Sequence, residues 1–181
     1  MAPSPSAGLN GDAGARIRWT VERLDIQPAD RILEIGSGGG TAVSLVAERL
    51  APGRGVLTAI DRSATAVKRT TARNASYIED GRAVVQVAEF SEAGFPDGAF
   101  DKIFSINVSL FWIGPARAEF AQVRRLLVPG GAMFACWGRG PTPGRSDQIA
   151  ARARDRFAEA GFTTEVITEN GLQCVKATRP A

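Results

Sequence analysis

The 181-residue chain contains no histidine, two cysteines and a single tyrosine. Without histidine, the commonest general base and the commonest metal ligand are both missing. Two cysteines alone cannot complete the usual ligand set of a zinc site, so no metal is expected. Cys136 and Cys174 each lie in an apolar run that reads as a strand, and free buried thiols fit them more simply than a disulfide. No apolar run approaches the ~18–20 residues that span a bilayer. The first fourteen residues, rich in Ala, Pro, Ser and Gly, lack the charged-then-apolar order of a signal peptide and read as a loose arm. A cytoplasmic protein is therefore expected. Charge of one sign is also scarce: 22 Lys and Arg against 19 Asp and Glu give a formal net charge of +3. That excess fits solubility and does not define a nucleic-acid surface. Arg152, Arg154 and Arg156 alternate by two, so a helix fans them over one side rather than aligning them in a stripe.

What is present is ordinary globular composition, 44% hydrophobic and 23% charged. The length suits one domain, expected over residues 15–181, which buries roughly 70% of its unfolded surface. Strand and helix signals alternate. Arg31–Ile35 is a short apolar strand that runs into glycines. Thr41–Leu50 is helical, with Val43, Val46, Ala47 and Leu50 on one face, and it stops at Pro52-Gly53. Gly55–Ile60 is a second strand, and Ser63–Ile78 a helix capped by Ser63. Ala83–Val87 and Phe100–Val108 are further strands, with a turn at Phe95-Pro96-Asp97-Gly98 between them. A helix over Pro115–Leu127 follows, then a break at Pro129-Gly130-Gly131 and a fifth strand over Ala132–Trp137. A helix over Asp147–Ala160 ends at Gly161. Phe162–Thr168 and Leu172–Ala177 flank Asn170-Gly171, a strong hairpin signal. Ala15–Leu24 is an additional helix ahead of the first strand. Such alternation implies an α/β, doubly wound, Rossmann-like sheet, mostly parallel, closed by an antiparallel hairpin.

The most informative segment is Arg31-Ile-Leu-Glu34-Ile-Gly36-Ser37-Gly38-Gly39-Gly40-Thr41. Four glycines in five positions let the backbone come close to a ligand at a helix N-terminus, and a bare turn does not require so many. Ligands of open α/β sheets sit beyond the carboxyl ends of the strands, where the winding reverses. A dinucleotide fingerprint needs glycine at its sixth position, which is Thr41 or Val43 here, and a Walker loop needs a lysine that is absent. Glu34 suits a ligand with a positive amino group better than a pyrophosphate. Asp61, about twenty residues beyond the loop, can accept from vicinal ribose hydroxyls or cap the next helix. Glu89 and Phe90 can hold an adenine edge and face, or be a solvated acid and a core ring.

Taken in order, Glu34-Ile-Gly-Ser-Gly-Gly-Gly40, Asp61, Glu89, Phe95-Pro-Asp-Gly-Ala-Phe-Asp101, Phe104-Ser-Ile-Asn107-Val-Ser-Leu-Phe-Trp112 and Arg125-Leu-Leu-Val-Pro-Gly-Gly131 resemble class I S-adenosylmethionine-dependent methyltransferases. Among these they are similar to the small ubiquinone and menaquinone C-methyltransferases. The resemblance runs from about Trp19 to the C-terminus. It implies a seven-stranded sheet and S-adenosyl-L-methionine as cofactor, with S-adenosyl-L-homocysteine as product. Gly36, Ser37 and Gly38, with Glu34 and Thr41 in the same segment, would meet the methionine portion, and Asp61 the ribose. Arg62 would lie beside the adenine, covering it with its alkyl stem where the family often has an apolar residue. Glu89, often aspartate in the family, and Phe90 would take the adenine amino edge and face. Asn107 and Val108 would line the sulfonium region.

Such a cofactor brings an activated methyl group, so the protein chiefly positions the acceptor and excludes water. No catalytic residue is assigned; a base, if one is needed, would be a carboxylate, Tyr77 or a water. Phe111 and Trp112 after the fourth strand and Trp137 at the end of the fifth can pack on a flat or apolar acceptor or be core residues. The N-terminal arm and helix, with Arg16 and Trp19, the Gly138–Gly144 loop, or a second copy in a homodimer would cover that acceptor. The expected partner is a small-molecule acceptor, and nucleic acid is not expected. Two other readings compete: a non-catalytic binding or regulatory module on the same fold, and a nicotinamide-dependent oxidoreductase, which the glycine spacing disfavours.

Overall fold

In a computed structural model that describes residues 12–114, 116–138 and 144–181, the chain forms two compact units that divide after Ala93. The first unit opens with helix α1 (Asp12–Arg23) and continues with strand β1 (Arg31–Ile35), helix α2 (Thr41–Leu50) and strand β2 (Val56–Asp61). Helices α3 (Ala64–Arg73) and α4 (Ala75–Glu79) and strand β3 (Ala83–Val87) follow. β1 pairs in parallel with β2, and β2 with β3, so all three carboxyl ends share one edge. Ile32, Leu33 and Ile35 of β1 are buried, as a strand covered on both faces requires. α2 buries Val43, Leu45, Val46 and Leu50, each worth roughly 1.5–3 kcal/mol relative to exposure.

The stretch expected as one helix over Ser63–Ile78 is two. Ser63 caps α3 as expected, its hydroxyl accepting from the Ala66 N–H at 3.3 Å. At Asn74 the backbone leaves helical geometry, with φ −111° and ψ 21°. The Asn74 side-chain amide donates instead to the carbonyls of Thr70 and Gly40, at 2.8 and 3.0 Å. Side-chain bonds of this kind compete with the helix ladder.

The second unit holds β4 (Phe100–Ile106), α5 (Arg117–Leu126), β5 (Leu127–Trp137), α6 (Arg145–Glu159), β6 (Thr163–Glu169) and β7 (Leu172–Thr178). β4 and β5 are parallel, and β7 runs antiparallel between β5 and β6. The β6–β7 hairpin turns through Asn170 and Gly171 at φ 48° and 79°, the geometry that an Asn-Gly pair favours. Pro129-Gly130-Gly131 is part of β5 rather than a break. The Gly130 N–H donates to the Arg179 carbonyl at 2.9 Å, and the Arg179 N–H to the Gly131 carbonyl at 2.8 Å. The irregularity appears as a register shift between Phe100 and Lys102. Pro115, expected in the first turn of α5, lies outside the described residues, as do residues 1–11 of the arm and 139–143 of the loop before α6.

The core of this unit is aromatic. Phe157 of α6 sits 4.7 Å from Phe120, 5.5 Å from Phe111 and 5.5 Å from Phe162 between ring centroids. Cys136 and Cys174 face each other across β5 and β7 as free, buried thiols, and burial pushes the Cys174 thiol up. Across the chain the strands are ordered β3-β2-β1-β4-β5-β7-β6, the doubly wound α/β arrangement with one antiparallel strand. No helix among the described residues is long and apolar enough to cross a membrane.

Candidate functional site

The glycine loop leaves β1 through backbone conformations that few other residues adopt, with φ of 83° at Gly36, 53° at Gly38 and 77° at Gly40. Its start is fixed on β2: the N–H groups of Gly36 and Ser37 donate to the Ile60 carbonyl at 2.8 and 3.1 Å. Its rear is fixed by four buried polar side chains. Thr70 Oγ1 donates to the Gly38 carbonyl at 3.2 Å and lies 3.4 Å from Ser37 Oγ. Asn74 holds the Gly40 carbonyl, and Ser44 Oγ donates to Asn74 Oδ1 at 2.6 Å. At Gly40 a Cβ would fall 2.7 Å from Asn74 Nδ2 and 2.9 Å from Thr70 Cα. At Gly38 and Gly39 it would meet nothing within 4 Å among the described residues. One side of the loop is therefore packed to contact, and the other can receive a ligand. Thr70 and Asn74 were not among the expected site residues. The available signal was an asparagine, a poor helix former, inside an otherwise helical pattern.

Two carboxylates stand at this loop. Glu34 is only 2% exposed, and its Oε2 has no hydrogen-bond partner among the described residues. Burial, and secondarily the charge of Asp61, push its carboxyl up to about 8. A buried acid held neutral in the fold but ionised in the unfolded chain makes stability fall as pH rises. The contribution is full below the ordinary value of 4.5 and is lost progressively up to about 8. Glu34→Gln is therefore expected to flatten the stability profile between pH 5 and 8, checked by urea unfolding of both proteins across that range.

Asp61 is half-buried, and both its oxygens are engaged. Oδ2 accepts from the Gly38 N–H at 3.0 Å, and Oδ1 from the Ser63 N–H at 2.9 Å. The loop and the start of α3 are thus tied to one carboxylate. An ionised carboxylate has about four acceptor positions, so two remain for further donors.

The same unit carries Thr41, half-buried as the first residue of α2, and Arg62, exposed after Asp61. The chain beyond β3 stays against the end of β2, where the Ala88 N–H donates to the Asp61 carbonyl at 3.1 Å. Glu89 is exposed there, and Phe90 is buried. In the second unit, Asn107 stands exposed at φ 59° where β4 ends, its N–H donating to the Cys136 carbonyl at 2.9 Å. Val108 beside it is half-buried.

Of the four aromatics named for the acceptor, three are core residues. Phe111 is fully buried because it completes the Phe120–Phe157 cluster. Trp137 is 3% exposed, its Nε1 donating to Gln173 Oε1 at 3.1 Å, and Gln173 in turn donates to Asp147. Trp19 is buried in α1, with the Arg23 guanidinium 5.7 Å from its ring centroid. Trp112 alone of the four is half-buried, its ring 5.2 Å from that of Trp137.

This loop, with an acid buried behind it and a second acid bracing it from the next strand, marks an adenosyl-cofactor class of α/β protein. The comparisons agree. The methyltransferase domain family matches residues 32–131, more than half of the chain, and the chain belongs to that family, the class I S-adenosylmethionine-dependent methyltransferases. It is 34% identical to the nocamycin O-methyltransferase of Saccharothrix syringae over 63% of this chain and 40% of that one. It is 32% identical to the 27-O-demethylrifamycin SV methyltransferase of Amycolatopsis mediterranei over 61% of this chain and 39% of that one. The chain thus spans well under half the length of these relatives. In fold it is similar to an S-adenosylmethionine-dependent methyltransferase from Aquifex aeolicus, with a TM-score of 0.76, 16% identity and coverage of 97% of this chain and 98% of that one. It is also similar to a geranyl diphosphate methyltransferase bound to its diphosphate and sinefungin, with a TM-score of 0.71, 15% identity and coverage of 91% and 78%.

The residues present fit S-adenosylmethionine. The unpartnered, buried Oε2 of Glu34 suits a cationic amino group, and the open side of Gly38 and Gly39 gives a ligand backbone-close access.

Proposed function

We propose that this chain transfers a methyl group to a small or lipid-like molecule with an apolar body. The observation that carries the cofactor half of this reading is Asp61, one carboxylate bracing both the glycine loop and the following helix with acceptor positions to spare. Glu34 would pair with the amino group of the methionine portion while Gly36, Ser37, Gly38 and Thr41 shape the loop around it. Asp61 would accept from the ribose hydroxyls. The Arg62 stem, Glu89 and Phe90 would bound the adenine, and Asn107 and Val108 the sulfonium. Bound S-adenosylmethionine supplies the electrophilic methyl group. The protein's share is to hold the acceptor in line and keep water out.

For the acceptor, Trp112 offers the half-buried aromatic surface that Phe111, Trp137 and Trp19 do not. The names of two relatives, acting on nocamycin and 27-O-demethylrifamycin SV, and the resemblance to quinone C-methyltransferases support an apolar acceptor. The test is transfer of radiolabelled methyl from S-adenosylmethionine to a panel of phenolic, quinone and prenyl acceptors. Organic-extractable label that depends on enzyme and on Trp112 is expected. Cofactor binding with no transfer to any acceptor would favour the non-catalytic module instead.

A further inference from the structure

α5 and α6 flank a cleft of about 550 Å³, within the size range of small-molecule sites. None of the residues assigned to methyl transfer lines it. α5 contributes Arg117, Phe120, Ala121 and Arg124, which share one helix face at spacings of three and four. α6 contributes Arg156 and Glu159, with Ala160 just beyond its end. Among the described residues, three arginines and one carboxylate therefore line the cleft around Phe120, Ala121 and Ala160.

The arginines are not all accounted for by the fold. Arg124 is: its Nη1 donates to the Gly161 carbonyl at 2.7 Å, and its guanidinium stands 5.9 Å from the Phe162 ring centroid. That leaves it a fixed positive wall. Arg156 differs, because its Nη1 is buried and has no hydrogen-bond partner among the described residues. A charged donor shielded from water and left without an acceptor is costly to the fold and rare in folded proteins. Arg117 is exposed in the first turn of α5, where the helix dipole disfavours a cation. Arg156, in the last turn of α6, stands where the dipole favours a cation, but that leaves Nη1 without an acceptor, and the charge of Arg117 has no such support.

We propose that this cleft is a second binding site, which takes a small oxyanion, phosphate or carboxylate, carried on a short apolar body. The oxyanion would be held by Arg156 and Arg117, whose forked donors match its geometry, with the apolar body along Phe120, Ala121 and Ala160. The proposal stands independently of the acceptor of the methyl group.

The test is calorimetric titration of the full chain with phenyl phosphate at low salt, with phenol and inorganic phosphate as its two halves and benzoate to separate carboxylate from phosphate. Saturable binding of phenyl phosphate or benzoate is expected, about tenfold or more tighter than that of phenol and weakened by added salt. Arg156→Gln should weaken it about tenfold or more, with S-adenosylhomocysteine binding unchanged as evidence of folding. Arg117→Gln, at an exposed position, gives the same readout with little risk to the fold. No saturable binding of either anion, equal binding of phenol, or undiminished binding by both variants would overturn the proposal.

Discussion

Alanine at position 61 is expected to weaken binding of S-adenosylhomocysteine by about a hundredfold or more. Asp61 accepts from the Gly38 and Ser63 N–H groups, so truncation frees the loop at the position where a ligand would lie against it. The same change removes the acceptors proposed for the ribose hydroxyls. Hydrogen bonds to a charged group contribute about 1.5–3 kcal/mol each. Loss of the two proposed to the ribose thus corresponds to a weakening of about a hundredfold to ten-thousandfold. Asp61→Asn separates the two effects. It keeps the shape and one acceptor oxygen, and should bind more weakly than wild type but more tightly than the alanine variant. Calorimetry on the three proteins, with circular dichroism as a folding control, checks the series. Equal affinities would show that Asp61 serves only the fold.

The second large effect is on stability. Gly40→Ala must place a side chain at φ 77°, which costs about 1–2 kcal/mol for an L-residue. The new Cβ also falls 2.7 Å from Asn74 Nδ2 and 2.9 Å from Thr70 Cα, and overpacking of this kind costs about 1–3 kcal/mol more. The sum, about 2–5 kcal/mol, corresponds to a melting temperature lower by roughly 5–20 °C for a chain of this size. Gly39→Ala is the control: φ there is not left-handed and no atom of the described residues lies within 4 Å of the added methyl. It should leave the melting temperature nearly unchanged. If thermal unfolding shows the two variants equally stable, the close packing behind the loop is not what holds it.

These two residues also mark how far the sequence is legible. β1, the glycine loop and Asp61 were readable because each has a local cause: an apolar run, positive φ at glycine, and an acid where a strand ends. The Asn170-Gly171 turn was readable for the same reason. The break at Asn74 was not, because its cause is a bond to Gly40, 34 residues away. Pro129-Gly130-Gly131 reads locally as a stop, yet Arg179, far along the chain, pairs with it and keeps it in the strand. Phe111 follows a strand and Trp137 ends one, as binding aromatics do, but long-range packing against Phe157 and Gln173 decides their burial. The unusual state of Glu34 was likewise hidden, since the shift arises from depth in the fold rather than from its neighbours in sequence.

The most direct test of the account is calorimetric titration of the purified chain with S-adenosylhomocysteine at pH 7, in phosphate and in Tris, with NADH as the competing cofactor. With the Glu34 carboxyl raised to about 8, most of it is protonated before binding, and an amino group brought against it favours the ionised form. The account predicts saturable one-to-one binding of the adenosyl ligand, a net release of protons read from the difference in heat between the buffers, and no competition by NADH. Absence of adenosyl binding by the folded protein, or displacement by NADH at similar concentration, would contradict it.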